Sequence, residues 1–258
     1  MVRRSPPHLS ALLICVYRAD FVYMAPPFLA YYAADANNYA LLNDTVYQCY
    51  YYRQVLQAKI SKDIPYKGVW EHIIGPQSRD VGLWSTGNGW AAAGMTRVLA
   101  TVQKAVLPSY LEGWRHNAVG SLTLWIKEIL DGAMGAPRAQ QLLRNYLNDT
   151  RDGHGFGETS GSSLIASVAY RMAVIDPQVF GTRYVAFADN IRGVLGGVDA
   201  SGSPHITSNG TATPAVNPLD WQDTTPWTAG SPEGNNFVVL MYAAWRDCVL
   251  ANICPHHY

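Results

Sequence analysis

The sequence predicts an all-α protein built as a ring of helical hairpins, and three observations carry that prediction. Apolar residues recur at the 3.6-residue helical period along most of the chain, whereas the alternation of a half-buried strand is missing. Four times a polar or glycine-bearing segment opens an apolar helix: Asp20 before residues 21–32; Gly87, Asn88 and Gly89 before Trp90; Thr159, Ser160 and Gly161 before residues 162–172; and Pro232, Glu233 and Gly234 before residues 235–245. The openings recur at roughly 70 residues with one further helix in each interval, the pattern of a hairpin array. Apolar, alanine-rich first helices alternate with wetter second ones, as a toroid of inner and outer helices requires.

The elements follow in order. Residues 21–32 form the first inner helix, opened by Asp20. Val46, Tyr47, Tyr50, Val55 and Leu56 mark its outer partner. From Ala91 onward, Met95, Val98, Leu99, Val102 and Val106 lie on one helical face, and Leu122, Trp125, Ile126, Ile129 and Leu130 form the next stripe. Ile165, Val168, Ala169 and Met172 form another, residues 184–195 one more, and Phe237, Leu240, Met241, Ala244, Trp245 and Val249 the last. Between them lie the breakers Pro65, Gly68, Gly75, Pro76, Pro108, Gly153, Gly155, Pro204, Pro214, Pro218 and Pro226.

At 258 residues, with 48% hydrophobic and 15% charged, the chain can bury a sizeable core as one large domain or two small ones. Nineteen basic residues balance nineteen acidic ones, which gives neither a footprint for nucleic acid nor a polybasic membrane patch. No stretch is long enough to span a membrane, and no obligate protein partner is evident. Cys15, Cys49, Cys248 and Cys254 show no zinc spacing, and nothing else calls for a metal or nucleotide. Cys248 and Cys254 can bridge if the last helix ends between them. Asn43, Asn148 and Asn209 each open an Asn-X-Thr tripeptide and tilt the reading toward secretion. Arg3, Arg4 and the apolar run from Leu9 mimic a short signal peptide with a poor cleavage site.

Residues 84–90, WSTGNGW, read as a tight loop between two tryptophans. An indole offers a flat apolar face to the C–H side of a sugar, and an amide such as Asn88 supplies a donor and an acceptor to its hydroxyls. Gly87 and Gly89 would permit positive φ or close approach of a ligand. The alternative is a glycine-punctuated turn with both indoles in the core. Convergence of the helix openings would collect Asp20, Asn88, Trp90, Ser160 and Glu233 at one end of the ring.

The segments DFVYMAPPFLAYY, GVWEHIIGP, LWSTGNGWAAAGM, FGETSGSSLIASVAYRMA and SPEGNNFVVLMYAAWRD resemble successive parts of the six-hairpin unsaturated uronyl hydrolases, glycoside hydrolase families 88 and 105, and most of all the rhamnogalacturonyl-hydrolase-like branch. The resemblance implies an (α/α)6 toroid over residues 20–258, incomplete at its N-terminus, with residues 1–19 as an atypical leading segment. It implies hydration of the C4=C5 bond of an unsaturated uronic acid at the end of lyase-generated oligosaccharides of the pectin or rhamnogalacturonan type. Asp20 matches the catalytic aspartate in D-x-x-Y-M-x-P, a position where aspartate also serves as an N-cap. His72 matches the sugar-contacting histidine of W-x-H, and Trp84 and Trp90 match the aromatic pair of the sugar subsite. Glu158 and Glu233 are left without chemistry, as caps or solvated carboxylates, and Ser160 and Ser162 as caps of the inner helix.

Two departures stand out. Thr86 occupies the place of an arginine that would pair bidentately with a carboxylate, so recognition of an acidic sugar falls to Lys67, Arg79 or a segment outside this chain. The preceding hairpins and their second active-site aspartate have no counterpart here, which implies a truncated ring, unstable or self-associating through its exposed flanks. Two other functions stay open: a noncatalytic carbohydrate-binding remnant, and a different toroid glycosidase using paired carboxylates.

Overall fold

The computed structural model describes residues 16–58, 67–150, 153–220, 222–223 and 225–255. The expectations for Arg3, Arg4, Leu9, Cys15 and Pro65 lie outside the described residues. Eight α-helices carry the fold among them: α1 (Phe21–Met24), α2 (Pro26–Asp35), α3 (Tyr39–Leu56), α4 (Ser85–Lys104), α5 (Glu112–Gly135), α6 (Thr159–Ile175), α7 (Thr182–Gly196) and α8 (Pro232–Leu250). Two short antiparallel ribbons join them. β1 (Tyr17–Arg18) pairs with β2 (Ile73–Ile74), and β3 (Arg138–Ala139) with β4 (Leu142–Leu143).

The first inner helix is not continuous. Pro26 and Pro27 have no N–H to give, so the chain breaks at Ala25 and restarts with proline in the first turn of α2, where a missing donor costs nothing.

Packing sorts the helices into two layers. α4 packs against α1, α2 and α6, and α6 against α8, while α3, α5 and α7 back α2, α4 and α6 respectively. The inner helices α4 and α6 are buried almost all round. α6 is buried at every position from Thr159 to Tyr170, whereas α5 buries one stripe including Leu122, Trp125, Ile126, Ile129 and Leu130. Glycine sets the closest approach between inner helices. A Cβ on Gly161 would stand 2.2 Å from Ser85 Oγ, and one on Gly94 would stand 2.3 Å from the Val22 carbonyl. The result is an arc of hairpins whose concave face carries a groove of about 610 Å³ lined by Tyr23, Ala93, Arg97, Val168, Arg171 and Leu240.

Cys248 and Cys254 are disulfide-bonded, since α8 ends at Leu250 and the chain folds back, the Cys254 N–H reaching the Cys248 carbonyl at 3.2 Å. Cys49 is buried and free. No helix among the described residues is long and apolar enough to cross a membrane.

Candidate active site

Segments that precede the inner helices are sewn together at one rim. β1 pairs with β2, and the Ala19 N–H donates to the His72 carbonyl at 3.0 Å, which sets the turn at Asp20 beside the His72 segment. Asn88 ties the start of α4 to the segment at Trp70. Its Oδ1 accepts from the Trp70 N–H at 2.7 Å, and its Nδ2 donates to the carbonyls of Trp70 and Trp84 at 3.0 and 2.9 Å. Farther round, the Ser85 N–H donates to the Asn145 carbonyl at 2.8 Å. Glu158 then closes the join between α4 and α6. Its carboxylate accepts from the N–H groups of Ser160, Gly161 and Val216 at 2.9, 2.6 and 3.3 Å and from the Thr86 hydroxyl at 3.2 Å.

Several expectations are corrected by this arrangement. Residues 85–89 are the first turns of α4 and not a loop. Gly87 and Gly89 are not among the glycines with positive φ; their lack of a side chain admits the Trp84 ring and Leu164 instead. Asn88, expected to meet sugar hydroxyls, and Thr86, in the place of the sugar-binding arginine, are buried and hydrogen-bonded inside the protein. Ser160 and Ser162 do not supply the helix cap. Glu158 caps α6, and Ser162 Oγ accepts from the Leu143 N–H at 2.9 Å.

Asp20 stands at the N-cap position of α1 without making a side-chain cap bond. Its carboxylate pairs with the Arg18 guanidinium at 3.1 Å and keeps 19% of its side-chain surface open. His72 is buried against Trp84, ring centroids 4.4 Å apart, and its Nδ1 bonds Asp80 Oδ2 at 2.8 Å. A carboxylate can only accept, so Nδ1 carries the proton and the ring is held in one tautomer. The Tyr146 hydroxyl donates to the same oxygen at 2.5 Å. Burial pushes the Asp80 carboxyl up, and the bonds from His72, Tyr146 and the Gly82 N–H outweigh it, so the group ends below its ordinary value. Trp84 is buried with Tyr146 and Val216. Trp90, half-buried, stands edge-on to Tyr23 at 4.5 Å and Phe237 at 4.6 Å, and its Nε1 donates to Glu233 Oε1 at 3.2 Å.

Glu233 changes the picture of the rim. It lies in the first turn of α8, whose N-cap Ser231 accepts from the Gly234 N–H. Burial and the charges of Glu158 and Asp20 push its carboxyl up to about 7, against the pull of the Trp90 hydrogen bond. Burial also raises Glu158, although its hydrogen bonds to the Ser160 side chain and to the Gly161, Ser160 and Val216 amides draw it back. Neither glutamate carries a motif beyond a helix-start position, and Asp80 sits in a polar loop with no period, so none had a sequence signal for this role. Among the described residues no group of three His, Cys, Asp or Glu is arranged to hold a metal ion.

Beside the rim, Arg79, Asp80, Tyr146, Asn148 and His154 line a polar cavity of about 530 Å³. Arg79 and Lys67 are both exposed.

A model of Glycosyl Hydrolase Family 88 matches residues 18–217. Comparison with curated proteins gave no match. Among solved structures, a possible member of the GH105 family from Salmonella enterica serovar Paratyphi A superposes with a TM-score of 0.68 at 18% identity, over 90% of this chain and 57% of its own. A possible GH105 member from Klebsiella pneumoniae gives 0.69 at 18% identity, over 89% and 56%. An unsaturated glucuronyl hydrolase from Bacillus sp. GL1, responsible for the degradation of glycosaminoglycan, gives 0.61 at 11% identity, over 95% and 62%. The chain therefore spans a little over half the length of the two GH105 structures. With its hairpins in the same toroid fold and the family model matched over residues 18–217, the chain belongs to glycosyl hydrolase family 88.

Proposed function

We propose that this protein is a glycoside hydrolase that acts on the unsaturated uronic acid at the end of oligosaccharides left by polysaccharide lyases, of the pectin or rhamnogalacturonan type. One observation carries the reading: half-buried Trp90 holds Glu233 through its Nε1 and packs on Tyr23 of the helix that Asp20 opens, so two carboxyl groups stand at the helix starts that one indole joins. Family membership supports the reaction class.

The ring oxygen on C5 makes the C4=C5 bond of such a sugar a vinyl ether. A proton delivered to C4 leaves a positive charge shared by C5 and the ring oxygen. Water adds at C5 and gives up a proton to a carboxylate, and the resulting hemiketal opens to a ketone. C1 is then a hemiacetal, which expels the neighbouring sugar. Every step asks for carboxyl groups that give and take protons beside an apolar face, and the rim offers both. The buried His72, Asp80 and Tyr146 chain stiffens the wall behind Trp84, and Arg79 is the cation in the adjoining cavity that suits a sugar carboxylate.

The test supplies purified protein with lyase-derived disaccharides from pectic and glycosaminoglycan sources and follows the ultraviolet band of the C4=C5 bond. Loss of the band supports the reading. Release of saturated sugars with the band intact favours a paired-carboxylate glycosidase, and binding without turnover a carbohydrate-binding remnant. We also place the protein on the secretory route, where Asn148 and the turn at Asn209 are the exposed glycan acceptors. Asn43 is instead bonded by Trp114 Nε1, and its Thr45 is buried. Mass analysis of protein from a secreting host checks this, and an unmodified Asn209 speaks against it.

A further inference from the structure

We propose that the outer face between α3 and α5 is a second carbohydrate-binding site, separate from the rim, and that it takes a neutral glycan chain. Two helical stripes meet there. Asn43, Tyr47 and Tyr50 recur at helical spacing on α3, and Trp114, Ser121 and Trp125 do so on α5, and together they line a cleft of about 330 Å³. That volume is at the small end of ligand clefts, with room for about one or two sugar rings. The core does not require these tyrosines. α3 buries Leu42, Thr45, Val46, Cys49 and Leu56, whereas Tyr47, Tyr50 and Tyr51 are 50%, 36% and 57% exposed, on a face where an outer helix ordinarily carries charge. Tyr50 packs on Trp125 with ring centroids 5.9 Å apart, and Tyr47 stacks on Tyr51 at 6.1 Å. The rings brace one another, so little freedom is lost when a ligand arrives.

Polar groups border the rings. Trp114 Nε1 donates to Asn43 Oδ1 at 2.8 Å. An indole N–H can only donate, so this bond fixes the orientation of the amide and leaves its Nδ2 to donate to a ligand oxygen. Neither that Nδ2 nor the side chains of Asn117 and Ser121, which also line the cleft, have a hydrogen-bond partner among the described residues. Aromatic faces for the C–H side of a pyranose, bordered by amides and a hydroxyl for its own hydroxyls, are the parts from which sugar recognition is built. Charge selects the kind of sugar. No residue lining the cleft carries a charge, and Arg53 and Glu128 of the same two helices are bound to each other through two bonds of 2.8 Å. The cleft therefore offers no cation to a uronate, unlike the cavity at Arg79. A second copy of the chain is the rival occupant. The open parts of the three tyrosines amount to on the order of 300 Å², against the roughly 800 Å² per partner that a stable interface buries. Taken with the hydrolase reading above, the site holds the protein on polysaccharide while the rim works on free chain ends.

The test is affinity electrophoresis of the full chain in native gels that contain soluble galactan, soluble glucan or polygalacturonate. At least one neutral polymer is expected to retard the wild type more than polygalacturonate does. The double variant Tyr47→Ala, Tyr50→Ala is expected to weaken that binding at least about tenfold, and Asn117→Ala about threefold. Both variants should consume an unsaturated disaccharide at the wild-type rate, because neither changes the rim. Should the double variant fail to fold, Tyr47→Ala alone, at a half-exposed ring, takes its place. Retardation by no polymer, stronger retardation by polygalacturonate than by both neutral polymers, or equal retardation of the wild type and a folded tyrosine variant overturns the proposal. Self-association of the wild type that the tyrosine variant loses assigns the face to a second copy and overturns it too. The rim is judged separately: a wild type that leaves the C4=C5 band intact overturns the hydrolase reading, whatever the gels show.

Discussion

The Thr86 hydroxyl donates to Glu158 Oε2 at 3.2 Å inside the protein, where α4 and α6 begin side by side. The position that faces an acidic sugar as arginine in the pattern this chain resembles is here part of a helix junction. Glu158 holds that junction through three backbone N–H groups besides Thr86, and all are shielded from water.

Removing the carboxylate should therefore leave several buried donors without partners. Glu158→Ala is expected to destabilise the chain by about 2–4 kcal/mol, the sum of a lost cap and unpaired buried amides. Glu158→Gln keeps one acceptor but sets its amide nitrogen against the two donors of the other oxygen, and should cost about 1–3 kcal/mol, less than the alanine variant. Urea denaturation of the two variants beside the wild type checks the order, and equal losses would show that Glu158 is not the tie.

Contact between the inner helices gives a second prediction. Gly161→Ala places a methyl group 2.2 Å from Ser85 Oγ and 2.7 Å from the Thr86 nitrogen, so α4 and α6 must separate. A loss of about 1–3 kcal/mol is expected, the usual cost of overpacking. Gly120→Ala is the control. It lies within α5 with nothing within 4 Å of the added carbon, and should gain about 0.5–1 kcal/mol. Thermal melts of both distinguish packing from intrinsic helix preference, and a stable Gly161→Ala would refute the close contact.

Helix positions were legible in the sequence because burial of one face writes itself into the 3.6-residue period. The disulfide was legible for a similar reason: a helix end between Cys248 and Cys254 lets both sulfurs meet. The start of α4 was not, since Gly87 and Gly89 weaken a helix in isolation, and only their closeness to Trp84 and Leu164 explains them. Nor could the sequence separate Glu158 from Ser160 as the cap of α6, because serine is the commoner residue there and the choice was made by Thr86 and Val216 from other segments. Asp20, His72 and Trp90 were each marked by a motif, and the repeated helix openings put Glu233 at the same rim, whereas the charge of Glu158 beside Glu233 had no mark in the sequence.

That convergence sets a dependence of stability on pH. The folded-state value of Glu233, about 7, lies above its ordinary 4.5, so between these limits the folded chain binds more protons than the unfolded one. Stability then falls as pH rises through this window, and the contribution is complete below it and gone above it. Glu158, raised as well, adds the same sign, while Asp80, lowered, acts with the opposite sign at more acid pH. Glu233→Gln should flatten the decline between about pH 5 and 8 by on the order of 2 kcal/mol. Urea midpoints collected across that range test it, and an identical slope in the variant would show that Glu233 does not titrate there.

The central claim is that the carboxyl of Asp20 takes part in turnover at this rim. Its most direct measurement is the rate at which wild-type protein and Asp20→Asn remove the C4=C5 absorption of an unsaturated uronyl disaccharide under identical conditions, with folding of the variant verified by its circular dichroism. The account predicts steady loss of the band by the wild type and a rate at least about 100-fold lower for Asp20→Asn, with retained sugar binding. Equal rates for the two proteins would contradict it.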